Sequence, residues 1–376
     1  MIIGQRWLKL SGRPDLAHRL VAEVTTLAAL GLALCACGQS SSAATGPAPS
    51  IGRATASSTS GQVLWREVPS PRVASTSAGL YLAWQVSPLG SVELSELARV
   101  DPATGRIEAS RRLGAAFDQA IAAGGSLWVA TSLTTSSASS SKQGLLRLNP
   151  RTLAITGRWS DLGGGGSLAL AGGGLWVAGR NRLSRLSLPE GKVTASVSLP
   201  GAASSDVAAN AAGTILIVGE ANKGGLGALE RRDPKTGKFL ASYRSIFSVG
   251  GPPWVGGVIG QGVWVHAASG MMGSVERFAA TTLTLDRSTI IEGSNGITVL
   301  VANGLIWVSH AQVEGGPTRN FCGDPSDGRA LAPLNIPPDS ELLAVGAHNV
   351  YYASAPDDQE RQNVNEEPIP DACRVR

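Results

Sequence analysis

Gly172-Gly-Gly-Leu-Trp-Val-Ala-Gly-Arg180 sets a glycine run directly against a compact apolar block centred on Trp176. By itself this reads as a tight turn followed by one buried strand, since glycine supplies the positive φ of the turn. Its copies along the chain decide the fold. Gly125-Ser-Leu-Trp-Val-Ala130, Gly262-Val-Trp-Val-His266 and Gly304-Leu-Ile-Trp-Val-Ser309 repeat it closely. Gly79-Leu-Tyr-Leu-Ala83, Gly213-Thr-Ile-Leu-Ile-Val218 and Asn349-Val-Tyr-Tyr-Ala353 repeat it more loosely. The central residues are Tyr81, Trp128, Trp176, Leu216, Trp264, Trp307 and Tyr351, spaced by 47, 48, 40, 48, 43 and 44 residues. Seven copies at such a period are the mark of a propeller.

A second element recurs in phase with the first. Leu97-Ala-Arg-Val-Asp-Pro-Ala-Thr-Gly-Arg-Ile107 is the clearest copy, and Leu146-Arg-Leu-Asn-Pro-Arg-Thr152 and Arg231-Arg-Asp-Pro-Lys-Thr-Gly237 follow it. Asp or Asn opens the turn, Pro presets φ at the next position, and Gly takes the positive φ that closes it. Alternating residues on either side make a half-buried hairpin. Each unit therefore reads as four strands: a small-residue strand a, the Trp block as strand b, the Arg-bearing strand c, and strand d after the turn. Small residues suit strand a because inner strands crowd the central axis, and the ring on strand b is expected to wedge between blades.

The last unit is short. Residues 341–347, 348–353 and 371–376 are read as its strands a, b and c, and no fourth strand follows. Gln62-Val-Leu-Trp-Arg-Glu-Val68 is an orphan strand ahead of the first unit. The expectation is an all-β, seven-bladed β-propeller of four-stranded blades over residues 62–376, closed by the N-terminal strand completing the last blade. Such closure protects an edge that would otherwise stay open.

Composition agrees with many short strands and tight turns. Of 376 residues 47 are Gly, nine are Trp, and only 16% are charged. The formal charge is +4, half of it in the first 36 residues, and no basic stripe appears, which argues against nucleic acid as a partner.

Those 36 residues read as an address. Arg6, Lys9, Arg13 and Arg19 precede the apolar run Val24–Ala36, which suits a signal peptide and is short for a membrane span. Leu34-Cys35-Ala36-Cys37 resembles the bacterial lipobox, which implies lipidation at Cys37 and a bacterial cell-membrane location facing outside the cytoplasm. An ordinary cleaved signal peptide is the alternative. Residues 37–61, rich in Ser, Ala, Thr, Pro and Gly, read as a flexible tether.

The Arg-x-Asp-Pro-x-Thr-Gly strands and Gly-x-Leu-Trp-Val-Ala blocks resemble YVTN-type and virginiamycin B lyase-like seven-bladed propellers of bacteria. The resemblance covers residues 62–376 and bears on fold more than on activity. In the lyase-like enzymes, histidines and a glutamate on one face support metal-assisted proton abstraction and ring opening. By location alone, His266, His310 and Glu314 could stand for that set, with a divalent metal as cofactor; the other reading is ordinary loop histidines and no cofactor. A quinone-dependent dehydrogenase would need more blades.

No His-Glu-x-x-His, Gly-x-Ser-x-Gly, phosphate-loop or calcium-loop motif is present. Trp254, Met271 and Met272 are expected on the same face as the histidines, forming a contact patch for an envelope protein or small ligand; Trp254 reads equally well as blade core. The segment Ala355–Pro370 is read as an acidic solvated loop. Cys322 and Cys373 fall on the predicted third strands of blades six and seven, as a bridge or as two separate thiols. Taken together, the sequence reads as a monomeric, membrane-anchored binding scaffold, with a lyase-like enzyme as the alternative.

Overall fold

The computed structural model describes residues 62–69, 71–86, 94–132, 144–160, 162, 166–179, 181–199, 204–221, 226–247, 254–269, 272–292, 297–309, 320–337, 340–354 and 361–374. These residues form seven four-stranded antiparallel sheets. The innermost strands of successive sheets touch in order around a ring, and the strand of blade seven, Glu341–Val345, returns to that of blade one, Arg72–Thr76. The protein is a seven-bladed β-propeller.

Each blade is sandwiched between two others, so strand b is buried on both faces. In blade three, Gly174–Gly179 is buried throughout. Leu175 and Val177 pack toward blade two with Trp128, while Trp176 and Ala178 pack toward blade four. Strand d lies outermost and is largely exposed, as in Ile107–Arg112 and Val193–Ser198.

The strand-b rings reach across to the strand c–d turn of the next blade. Trp176 Nε1 donates to the Pro234 carbonyl at 2.9 Å, Trp264 Nε1 to Pro325 at 3.2 Å, and the Tyr81 hydroxyl to Pro150 at 3.0 Å. At these junctions the turn residue is matched in size to the side chain above it, whereas beside Tyr351 the turn closes on Gly105, and Leu64 and Trp65 supply the cover. Under Trp176 the turn closes on Gly237, at φ +73°, where an added Cβ would lie 2.8 Å from the ring. Under Trp264 it closes on Gly328 in the same conformation. Under Tyr81 the closing residue is Leu153, at φ 55° and fully buried, and in the corresponding turn of blade five it is Leu283, at φ 56°. A left-handed leucine is strained, and it occurs here where no tryptophan fills the space.

Blade four corrects the sequence alignment by one residue. Leu216 packs back against blade three beside Trp176, and Ile217 is the residue that faces blade five with Leu283. Because side chains alternate along a strand, a slip of one reverses the face.

Blade seven is closed by the N-terminal strand. Gln62–Pro69 pairs antiparallel with Arg361–Pro368, which pairs with Asn349–Ala353. Strand c is thus Arg361–Pro368, not residues 371–376, and much of the segment expected as a solvated loop is strand. Glu366 accepts a hydrogen bond from Asn349 Nδ2 at 2.8 Å, and Glu367 one from Asn335 Nδ2 at 3.2 Å. The strand draws no help from an Asp-Pro-x-Thr-Gly turn; pairing on both edges forms it. Asp371–Cys373 is instead a single 3₁₀ turn, packed with Trp307. Cys373 and Cys322 form a disulfide with a Cα–Cα distance of 6.0 Å. It occupies the place over Trp307 where other blades put their c–d turn.

Candidate functional site

The propeller has two unlike faces. The a–b and c–d connections are tight turns on one, here the turn face. The b–c and blade-to-blade connections lie on the other, the loop face. His266 sits near the loop-face end of strand b of blade five, Gly262–Ser269. It is not a loop residue, as the sequence suggested, but a strand residue only 3% exposed.

Two residues beyond the central position of strand b, six blades carry Ala83, Ala130, Ala178, Gly219, Ser309 and Ala353. These lie against the next blade, where little room remains. Blade five places His266 there. The strand-a residues paired with this position are Arg72, Gln119, Ser167, Asp206, Thr298 and Glu341, and in blade five Trp254.

Most of the polar members join neighbouring blades. Gln119 Oε1 accepts the Leu168 N–H at 2.6 Å, and Ser167 Oγ accepts the Val207 N–H at 3.1 Å. Asp206 Oδ2 accepts the Val255 N–H at 2.8 Å, and Glu341 pairs with Arg72 at 3.6 Å. The junction of blades five and six carries an aromatic pair instead. Trp254, 56% exposed, lies over the His266 ring with centroids 5.3 Å apart and planes inclined by 31°.

His266 Nε2 is buried without a hydrogen-bond partner. Burial pushes the imidazole down to about pKa 4, so the ring is neutral at physiological pH. A neutral imidazole offers one donor and one acceptor nitrogen. Leaving one of them buried and unmatched costs about 1–3 kcal/mol in a folded protein. Architecture does not ask for this cost, since alanine fills the position elsewhere.

Trp254 is the first residue of strand a, Trp254–Ile259, rather than a loop residue, and it is exposed rather than core. The strand bulges between Val255 and Gly257, where it runs so close to blade six that a Cβ on Gly257 would meet Val301 Cβ at 2.5 Å. Asp206 fixes the adjacent Val255 N–H; burial raises its pKa while its hydrogen bonds lower it. Met272 opens strand c of blade five, its backbone paired with Ser269 and Glu292. His310, Glu314, Met271 and Cys37 lie outside the described residues.

A second polar group faces blade three from blade four. Glu230 and Arg232 form a buried ion pair. Nearby, burial and the charge of Glu230 push Glu220 up to about pKa 7, and Glu220 Oε1 lacks a partner. Among the described residues no three His, Cys, Asp or Glu side chains are grouped to hold a metal ion. On the turn face a cavity of about 410 Å³ lies between the inner ends of blades four to six. Its two asparagines serve the fold: Asn210 caps its own turn through Thr214 and Ile215, and Asn303 Nδ2 donates to the Gly346 carbonyl.

The sequence reading missed Asp206 and Glu220, and it had His266 and Trp254 without their contact. Comparing one position across all seven repeats would have marked the pair, because both residues break the pattern at the same register.

No protein-family profile matches this chain, and no curated protein matches it in sequence. Among solved structures it is similar to BamB from Moraxella catarrhalis, at 14% identity and a TM-score of 0.49, over 79% of this chain and 96% of that one. It is also similar to the computationally designed Ika8 protein, at 12% identity and a TM-score of 0.49, over 81% of this chain and all of that one. The blade count stands on the strand pairing of this chain itself.

Proposed function

We propose that this protein is a membrane-anchored, extracytoplasmic binding scaffold that engages an envelope protein through its loop face, with Trp254 as the anchor. The single observation that supports this reading is the aromatic pair at the junction of blades five and six. An exposed tryptophan held on a buried ring is a rigid apolar contact with a polar atom beneath it. Tryptophans in such settings dominate binding energy at protein interfaces. Lipidation at Cys37 and the signal peptide are part of the proposal and rest on the lipobox-like sequence. Membership among YVTN-type propellers is also part of the proposal and rests on the repeat.

The test is cross-linking of the full chain in its own envelope, comparing the wild type with Trp254→Ala. Loss of a defined cross-linked protein in the variant supports the proposal; an unchanged pattern refutes it. The mass of the extracted chain reads the anchor separately, since lipidation adds acyl mass at Cys37.

The lyase-like alternative has one supporting observation, the neutral, unpartnered imidazole of His266, which suits a ligand or a general base. Calorimetry with zinc and manganese on wild type and His266→Ala separates the two. Metal binding lost with the imidazole favours the enzyme; none favours the scaffold.

A further inference from the structure

We infer that the turn face of blade four, built around Lys235, Lys238, Phe239 and Leu240, docks on an anionic lipid surface. This deepens the anchored-scaffold reading and names the surface against which the domain rests.

The repeat again shows what the fold does not require. In four blades the strand-c arginine is matched by a polar residue at the second position of strand d. Arg99 pairs with Glu108 at 3.2 Å, and Arg147 with the Thr156 hydroxyl at 3.1 Å. Arg185 pairs with the Thr194 hydroxyl at 2.9 Å, and Arg277 with Asp286 at 2.5 Å. In blade four the arginine is Arg231, which donates to the Thr281 carbonyl of the next blade at 2.6 Å. The residue at its matching position is Leu240. Leu240 and the preceding Phe239 are each 47% exposed.

The flanking charge is basic. Lys235 and Lys238 are exposed on the turn that leads into this strand. The one acid of the turn, Asp233, is engaged by the turn itself: its carboxylate accepts the N–H groups of Lys235 and Thr236 and the Thr236 hydroxyl. The neighbouring blades place exposed apolar residues at the same height, Val193 near Glu190 and Lys192, and Leu285 near Asp286 and Arg287, so the basic excess belongs to blade four. Apolar side chains ringed by lysines suit an interface of acyl chains and anionic headgroups, where each basic residue adds attraction and each apolar one inserts.

Chain connectivity points to the same face. Strand d of every blade starts at the turn face, and in blade seven strand d is Gln62–Pro69. Gln62, the first described residue, therefore lies on the face that carries Phe239 and Leu240. Twenty-four residues separate Cys37 from Gln62. In the proposed tether reading, a segment of that length would span about 27 Å on average, enough to let the domain settle on the bilayer that anchors it. The loop face with Trp254 then points away from the membrane, toward a partner.

The experiment uses residues 50–376, which form a compact unit of their own and carry no acyl chain. Binding to phosphatidylcholine vesicles is compared with and without phosphatidylglycerol, by co-sedimentation at rising salt. The wild type is expected to bind only the anionic vesicles and to be released by salt. Phe239→Ser with Leu240→Ser, and separately Lys235→Glu with Lys238→Glu, should each weaken binding about tenfold or more. All four side chains are exposed, and unchanged near-ultraviolet dichroism checks that the ring is intact. Absence of binding by the wild type, or equal binding by both variants, overturns the inference and leaves a protein as the occupant of this face. Neither result bears on the mass at Cys37 or the Trp254 cross-link, so the two readings fail separately.

Discussion

The size matching between ring and turn predicts a strong coupling between Trp176 and Gly237. Replacing Trp176 by Ile removes most of a fully buried ring. Large-to-small changes of this kind cost about 3–5 kcal/mol when the residue becomes alanine, and isoleucine refills part of the space. The lost hydrogen bond to the Pro234 carbonyl adds about 1 kcal/mol, so the single change should cost about 3–4 kcal/mol. Replacing Gly237 by Leu forces a side chain into a left-handed position whose Cβ would meet Val197 at 2.7 Å and the Trp176 ring at 2.8 Å. Left-handed strain of about 1–2 kcal/mol and overpacking of about 1–3 kcal/mol give a similar cost. Made together, the two changes recreate the pairing that Ile217 and Leu283 already form between blades four and five. The clash and the cavity then cancel, leaving mainly the strain and the lost hydrogen bond. The coupling should be about 3 kcal/mol in favour of the double variant, at the upper end for residues in contact. Urea unfolding of the four species, followed by far-ultraviolet dichroism, measures it. Additive costs would refute the idea that ring and turn are matched in size.

Other consequences follow from groups described above. His266, with its pKa depressed to about 4, binds fewer protons when folded than when unfolded, so between pH 4 and 6.5 it makes stability fall on acidification, by about 3 kcal/mol at most. Glu220, raised to about 7, binds more protons when folded, so its contribution falls as pH rises from 4.5 to 7. Asp206, Glu276 and Glu366, also raised, act in the same sense as Glu220. The two opposed slopes should separate in variants: His266→Ala loses stability as pH rises through this range, and Glu220→Gln loses it as pH falls. Thermal melts across pH check both, and parallel curves would count against the burial of either group. Breaking the Cys322–Cys373 bridge by Cys373→Ala should cost about 4 kcal/mol for a loop of 51 residues. That loss should appear in urea midpoints and vanish under reducing conditions, where the wild type loses the bond as well. Trp254→Ala, at an exposed site, should leave the melting temperature within about 2 °C of the wild type while removing the cross-link.

The blade count was legible because turn and strand-b block both recur, each with its own physical cause. The register of blade four was not, because Ile215, Leu216 and Ile217 are all apolar and no ring marks which one faces forward. Strand c of blade seven was hidden by composition: Arg361-Gln-Asn-Val-Asn-Glu-Glu-Pro368 has the character of a loop, and only its two paired edges make it a strand. The aromatic pair at His266 was half visible. The sequence supplied both residues, but the extension of strand b past the ring to Ser269 is what turns His266 inward.

Closure of the ring by its own first strand also sets the order in which the protein can be finished. Gln62 pairs with Glu366, about 300 residues later, and Pro69 with Arg361. The first of the described strands in the sequence is therefore among the last to find its place. Six blades can form from local hairpins as the chain emerges, but the seventh waits for both ends. Until then Gln62–Pro69 is an unpaired strand ahead of blade one, and the strand b edge of blade seven is open. A chain cut short before Arg361 has no partner for that strand, and a nearly complete copy would expose two sticky edges rather than one weakened blade. The disulfide at Cys373 ties the C-terminal turn to blade six, a few residues beyond the strand that Gln62–Pro69 must find. Oxidation of that pair thus tethers the end of the chain beside the edge at which the ring is closed.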